Sequence, residues 1–224
     1  MALGIQHQYI PNISVDTDGE VQYAARTTKG IRYENLHCSQ AFCDSACGPV
    51  TVIMAALVMT GLPRYRAESL TRTKREPFRT FWAIAKDLYF VGTGDEEISA
   101  LASVFTPKIY PEIIASSSAK RIGRAVVNAV KVGNIPIVCV EHTHWSHYVL
   151  VVGYEANAGE SAPRALLTLD SSAPAPRGSF NNGKLWLPTP KGRGGSTKCT
   201  YTDNVGKKWS VRLLSLVVLT LKPP

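Results

Sequence analysis

Residues 43–62 read CDSACGPVTVIMAALVMTGL, and the reading of this stretch governs the rest of the chain. Gly48 and Pro49 open an apolar run that Gly61 closes. Proline in the first turn gives up no helical hydrogen bond, and a glycine just past the end supplies a left-handed stop. The stretch therefore predicts a buried helix of about 12 residues, well short of the roughly 20 that a membrane span needs. Cys47 stands at its start, where free N–H groups and the helix dipole favour a thiolate. Free cysteine is also among the most buried residue types, so the stretch alone leaves open whether Cys47 is a nucleophile or a small core residue.

Around this helix the pattern changes along the chain. Residues 1–36 read as polar strands and turns, an N-terminal extension with alternation in IRYENL. Further helices are predicted at FRTFWAIAKDLYF (78–90), at GDEEISALASVF (94–105) with acidic residues in its first turn, and at SAKRIGRAVVNAVKVG (118–133). From Asn134 onward the period shortens, and IPIVCVEH, HYVLVVGYE, RALLTLDSS and VRLLSLVVLTL read as strands. Residues 173–208 are rich in Pro and Gly and read as a long loop and hairpin insertion, with the turn at Asn182-Gly183 and the greatest mobility of the chain. The expectation is a single α+β domain over residues 1–224, an N-terminal helical half packed on a C-terminal antiparallel β-sheet.

Composition narrows the classes. With 224 residues, 45% hydrophobic and 19% charged, the chain is long and apolar enough for an ordinary core. Its net charge of +8 permits an acidic partner. The basic residues fall in small groups at 64–79, 120–124 and 191–195 without interleaved aromatics, which reads as solvated surface and argues against nucleic acid. Five cysteines is an odd number, unlike a secreted disulfide framework, and points to free thiols in a reducing compartment. The N-terminus lacks a basic region followed by an apolar core, so the expected location is cytoplasmic, or outside the cell by delivery without a classical signal peptide. No membrane partner is expected.

A thiolate nucleophile needs a base, and three of the five histidines fall in EHTHWSHYVLVVGYE. His142 and His144 sit in the turn between two strands, whereas His147 opens the second strand, a rigid place from which to aim an imidazole. An imidazole held in one tautomer usually has a carboxylate on its other nitrogen, and LLTLDSS ends the next strand at Asp170. An oxyanion needs donors, for which the Cys47 N–H and the Gln40 amide are candidates. Cys43 is a rival nucleophile in the preceding loop, and Cys139 in IPIVCV reads as core. His37, Cys38, Cys43 and Cys47 cluster as soft metal ligands do, but their spacing matches no paired CxxC site, so no metal or other cofactor is expected. Trp145 is a candidate contact for a peptide at the cleft edge, and Gly194-Gly195 is a weak candidate for self-processing.

A Gln, a short polar loop, CGP opening an apolar helix, and then HYVLVVGYE and LLTLD in order resemble the papain-like cysteine peptidases of the C39 group, including the domains that cut bacteriocin leaders after a double glycine. The resemblance runs from Asn35 to Ser172 and includes CSQAFCDSACGPVTVIMAALVMTGL, GDEEISALASVF and AVVNAVKVGNIPIVCV. It implies a papain-like fold, Cys47 as nucleophile, His147 as general base, Asp170 as orienting acid and Gln40 as oxyanion donor. The sequence departs from the pattern in Ser171-Ser172 after Asp170, in the insertion ANAGESAPR, and in 173–208. The function implied is peptide-bond hydrolysis in a protein substrate, with small residues such as Gly-Gly before the cut. A delivered bacterial toxin or effector, held by a cognate inhibitor or immunity protein, fits the basic balance. A cysteine-dependent deamidase or transglutaminase-like transferase uses the same residues, and a non-catalytic basic binding module uses none of them.

Overall fold

The computed structural model describes residues 5–40, 44–105, 109–116, 118–160, 162–188 and 198–221. The first 36 residues already hold four strands, β1 (Ile5–Tyr9), β2 (Ile13–Val15), β3 (Val21–Thr27) and β4 (Gly30–Asn35). A 3-10 turn at Asp44–Ala46 runs into helix α1 (Cys47–Thr60), followed by α2 (Arg64–Glu68), α3 (Phe78–Val91) and α4 (Asp95–Ser103). Strand β5 (Ile109–Ala115) and helix α5 (Ala119–Lys131) precede six more strands. These are β6 (Ile135–His142), β7 (Trp145–Asn157), β8 (Ala165–Leu169), β9 (Gly183–Trp186), β10 (Lys198–Asp203) and β11 (Lys208–Leu221).

The last six strands close into an antiparallel barrel in the order β6, β7, β8, β9, β10, β11 and back to β6. This corrects the expected papain-like arrangement of a helical half on an open sheet: 39% of the described residues lie in strands against 29% in helices. The physical cause lies in two long strands. β7 is bulged between Val151 and Gly153 and β11 between Leu213 and Ser215, and a bulge bends a strand and raises its twist. Enough twist turns a sheet back onto its own first strand, which removes the open edges. β1 extends one edge of β7 beyond β6, and β5 extends β11 in the same way. β2, β3 and β4 make a separate three-stranded sheet.

The stretch 173–208, expected as a loop and hairpin insertion, carries β9 and β10, two staves of the barrel. β10 alternates between buried Cys199 and Tyr201 and more exposed neighbours, as a strand with one wet face should. Asn182-Gly183 is not a hairpin turn. Gly183 is the first residue of β9, and the connection from β8 runs through residues 170–182.

Helix α1 matches its prediction closely. Every residue except Met59 is buried, and it lies against β7, β3, α3 and α4. A helix that is apolar on all sides has to be enclosed in this way. Gly61 ends it in the left-handed conformation, with its N–H on the Leu57 carbonyl at 2.9 Å. Among the described residues no helix is long and apolar enough to cross a membrane.

Candidate active site

Cys47 is the first residue of α1, and Thr51, one turn on, shares its face. That face meets β7. The Thr51 hydroxyl donates to the Tyr148 carbonyl at 3.2 Å, which fixes the helix against the strand one residue from His147. Gly48 allows a second close approach. A Cβ there would lie 2.7 Å from Thr93 Cβ, so the chain before α4 packs directly on the first turn of α1. Tyr148 in turn donates its hydroxyl to Asp95 at 2.8 Å, and Ser215 donates to the same oxygen at 2.6 Å, tying the start of α4 to β7 and β11.

Cys47 is 6% exposed. Burial by itself pushes its thiol up, but a hydrogen bond with His147, the charge of that imidazolium, and the N–H groups of Tyr148 and Gly48 outweigh it, leaving the thiol below its ordinary value. The other described thiols behave oppositely. Burial raises Cys38, and it pushes Cys139 and Cys199 up to about 12. Cys43 lies outside the described residues, as do Gly194-Gly195 and the basic group 191–195.

His147 pairs with Val140 across β6 and β7 and sends Nε2–H to Asp170 Oδ1 at 2.7 Å. The imidazole also interacts with the Cys47 thiol, for which Nδ1 is the nitrogen left over once Nε2 is on Asp170. Burial alone would lower the imidazole pKa; the charge and hydrogen bond of Asp170, with Cys47 adding to both, raise it to about 10. The Trp145 ring stands edge-on to the imidazole, 6.4 Å between centroids at 86°. His142 stacks on Trp145 at the end of β6, and His144 lies in the two-residue turn beyond it, so neither takes the place next to Cys47.

Asp170 follows directly on β8, with its side chain 3% exposed. Oδ1 accepts from the Ser172 N–H at 2.8 Å and the Ser172 hydroxyl at 2.7 Å as well as from His147, and Oδ2 accepts from the Tyr201 hydroxyl at 2.5 Å. Burial opposes the charged form, but these donors and the imidazolium hold the carboxyl well below the usual range. The Asp170 backbone is fixed too. Asn182 accepts from its N–H at 2.6 Å and donates to its carbonyl at 2.8 Å, and His37 Nε2 lies 2.9 Å from the same carbonyl oxygen. Of the Ser-Ser that departs from the C39 pattern, Ser172 supplies two donors to the carboxylate through its N–H and its hydroxyl.

Gln40 lies beside this group, 8% exposed. Its N–H donates to the Ser171 carbonyl at 3.0 Å and its Oε1 accepts from the Ser171 hydroxyl at 2.8 Å, which sets Nε2 as the donor end of the amide. Gln40, His147 and Asp170 line a cavity of about 490 Å³ together with Trp145, Tyr201, Lys207 and Trp209. Cys47 is not part of that lining, and its link to the cavity runs through the His147 imidazole.

Sequence reasoning missed Tyr201, Asn182 and His37, which hold Asp170, and Trp209, which meets Trp145 edge-on at 6.4 Å. Nothing local marks Tyr201 or Trp209. Asn182-Gly183 did carry a signal, but of a different kind from the turn it suggested: Asn182 clamps Asp170, and a Cβ on Gly183 would stand 2.3 Å from the Tyr201 hydroxyl, so glycine makes room for that hydroxyl to reach the carboxylate.

No protein-family model matches the chain, and no curated protein matches it. Among solved structures, UfSP from C. elegans aligns over 98% of this chain and 34% of its own, at 11% identity and a TM-score of 0.44. The chain thus spans about a third of that protein's length, and so loose a likeness assigns neither fold nor chemistry. The C39 type gains no support from these comparisons.

Proposed function

We propose that this chain is a cysteine peptidase. One observation carries the reading: the single described thiol held below its ordinary pKa is hydrogen-bonded to an imidazole whose other nitrogen is held by a buried, four-fold hydrogen-bonded carboxylate. Structural thiols gain nothing from such a chain of groups, whereas a nucleophile needs all of it.

In the proposed reaction the Cys47 thiolate adds to a peptide carbonyl carbon, and the carbonyl electrons move onto oxygen. The Cys47 N–H and Gln40 Nε2 stabilise that oxyanion. As the intermediate collapses, His147 Nδ1 gives its proton to the departing amine and the C–N bond breaks, leaving a thioester. His147 then takes a proton from water, the hydroxide adds to the thioester, and the thiolate leaves. Asp170 keeps the imidazole in one orientation and stabilises its charged form throughout. The aromatic residues Trp145, Tyr201 and Trp209 in the adjoining cavity suit apolar parts of a bound peptide.

The finer readings are a preference for Gly-Gly before the cut and action on a protein of a target cell, as expected of a delivered toxin or effector with an inhibitor. A search for new protein N-termini in a cell extract under reducing conditions, comparing wild type with Cys47→Ala, tests all of these. New termini confined to the wild type, with their flanking residues, establish peptidase action and its specificity. Identical termini in both samples would refute it, and a mass gain of about one dalton on intact substrates would move the same residues to deamidation.

A further inference from the structure

The basic segment 64–79, which sequence reading assigns to solvated surface, folds into a second, unrelated pocket. Residues Arg66, Ser69, Thr73, Lys74, Arg75 and Phe78, with Tyr65 at its edge, enclose about 260 Å³ between α2 and the start of α3. No carboxylate lines it. The two nearby acids are already used, Glu68 by Arg64 at 2.8 Å and Glu76 by Arg79 at 2.6 Å. Arg66, Lys74 and Arg75 have no ion pair among the described residues. Arg66 Nε is buried and has no acceptor among them, although a buried N–H is almost always hydrogen-bonded. Thr73 Oγ1 accepts from the Arg75 N–H, which leaves its own hydrogen to donate.

Three cations, a directed hydroxyl and an unanswered guanidinium N–H describe the donor half of an anion site. We propose that this pocket binds a terminal phosphoryl group, that of a phosphate monoester or a short oligophosphate. A carboxylate brings one charge and two oxygens, fewer than the site offers. A phosphate monoester brings nearly two charges and three strong acceptor oxygens, and guanidinium forks match those oxygens in pairs. A phosphodiester in a nucleic-acid backbone has one charge and two free oxygens, again fewer than the site offers. The volume lies below the range of about 300–1,000 Å³ typical of whole small-molecule sites, and it suits an anionic head. Phe78 is buried and packs edge-on against Phe105 at 5.6 Å, which anchors one side of the pocket on the core.

Calorimetric titration of the full chain with sodium pyrophosphate and with inorganic phosphate, against sodium chloride at equal ionic strength, tests the proposal. The expected result is saturable binding at one site and a thermal unfolding transition that moves up with ligand; at ten times the Kd the folding constant rises about elevenfold. Lys74→Gln with Arg75→Gln, both at exposed positions, weakens binding at least about tenfold, as does Arg66→Gln, while Lys120→Gln with Arg124→Gln on α5 leaves it unchanged. If Arg66→Gln does not fold, the Lys74 and Arg75 pair decides. Heats no different from chloride, or equal affinity in all variants, overturn the proposal. Displacement of pyrophosphate by a single-stranded oligonucleotide at equal or lower phosphate concentration overturns it in favour of a nucleic-acid backbone.

Discussion

Four donors converge on the Asp170 carboxylate, from His147, from the Ser172 N–H and hydroxyl, and from Tyr201. Tyr201→Phe removes the Oδ2 donor without changing volume much, and a hydrogen bond to a buried charge is worth about 1.5–3 kcal/mol. Urea unfolding at neutral pH should show a loss of that size. The carboxyl titrates below its ordinary 3.8 in the folded chain, so its contribution to stability is present above that pH and lost as pH falls further. Asp170→Asn has no such charge to lose, and its stability should be flatter between ~pH 5 and ~pH 2 than that of the wild type. His147 is shifted the other way, to about 10, so its contribution is full below the ordinary 6.5 and fades as pH rises through the folded value. The stability gap between wild type and His147→Ala should therefore narrow from about pH 7 to about pH 10. The same substitution removes the main influence that offsets burial, so it should move Cys47 alkylation by iodoacetamide to higher pH and cost activity at least about a hundredfold. In the wild type Cys47 should react below pH 9, before Cys139 and Cys199, whose thiols burial pushes up to about 12. Cys47 and His147 were legible because each sits at the head of an element that its own neighbours specify. Tyr201 was not, being 31 residues from Asp170 and joined to it only by folding.

Among the elements, α1 carries the nucleophile and its first turn is set by contact. Alanine is a better helix former than glycine by about 1 kcal/mol, so propensity alone favours Gly48→Ala. The Thr93 side chain 2.7 Å from the new Cβ decides otherwise, because overpacking a closed site costs about 1–3 kcal/mol. Gly48→Ala should lower the unfolding temperature and slow Cys47 alkylation, and adding Thr93→Gly should recover part of both. Helix boundaries were readable to within a few residues for α1, α3, α4 and α5, since apolar periodicity and caps are local. β9 and β10 were not readable. They are short, carry polar residues on one face, and lie among Gly and Pro that signal turns with equal force.

At the scale of the molecule, barrel closure brings the chemistry together. Strand β7 supplies His147, the end of β8 supplies Asp170, β10 supplies Tyr201, and β11 supplies Trp209. Deleting residues 173–208 would be harmless in an insertion, but here it removes two of six staves and exposes the edges of β8 and β11. The shortened chain should show no cooperative unfolding transition by circular dichroism and no selective Cys47 alkylation. By itself the sequence determined the four long helices, which long apolar runs are strands, and that a cysteine starts a helix while a histidine lies near the start of a strand, because periodicity, capping and residue chemistry act over a few neighbours. Tertiary structure alone decided that the sheet closes, that Tyr201 and Asn182 hold Asp170, and that cations at 66, 74 and 75 enclose one pocket. Those outcomes depend on strand twist, bulges and contacts between residues far apart in the chain, and no short stretch of sequence encodes them.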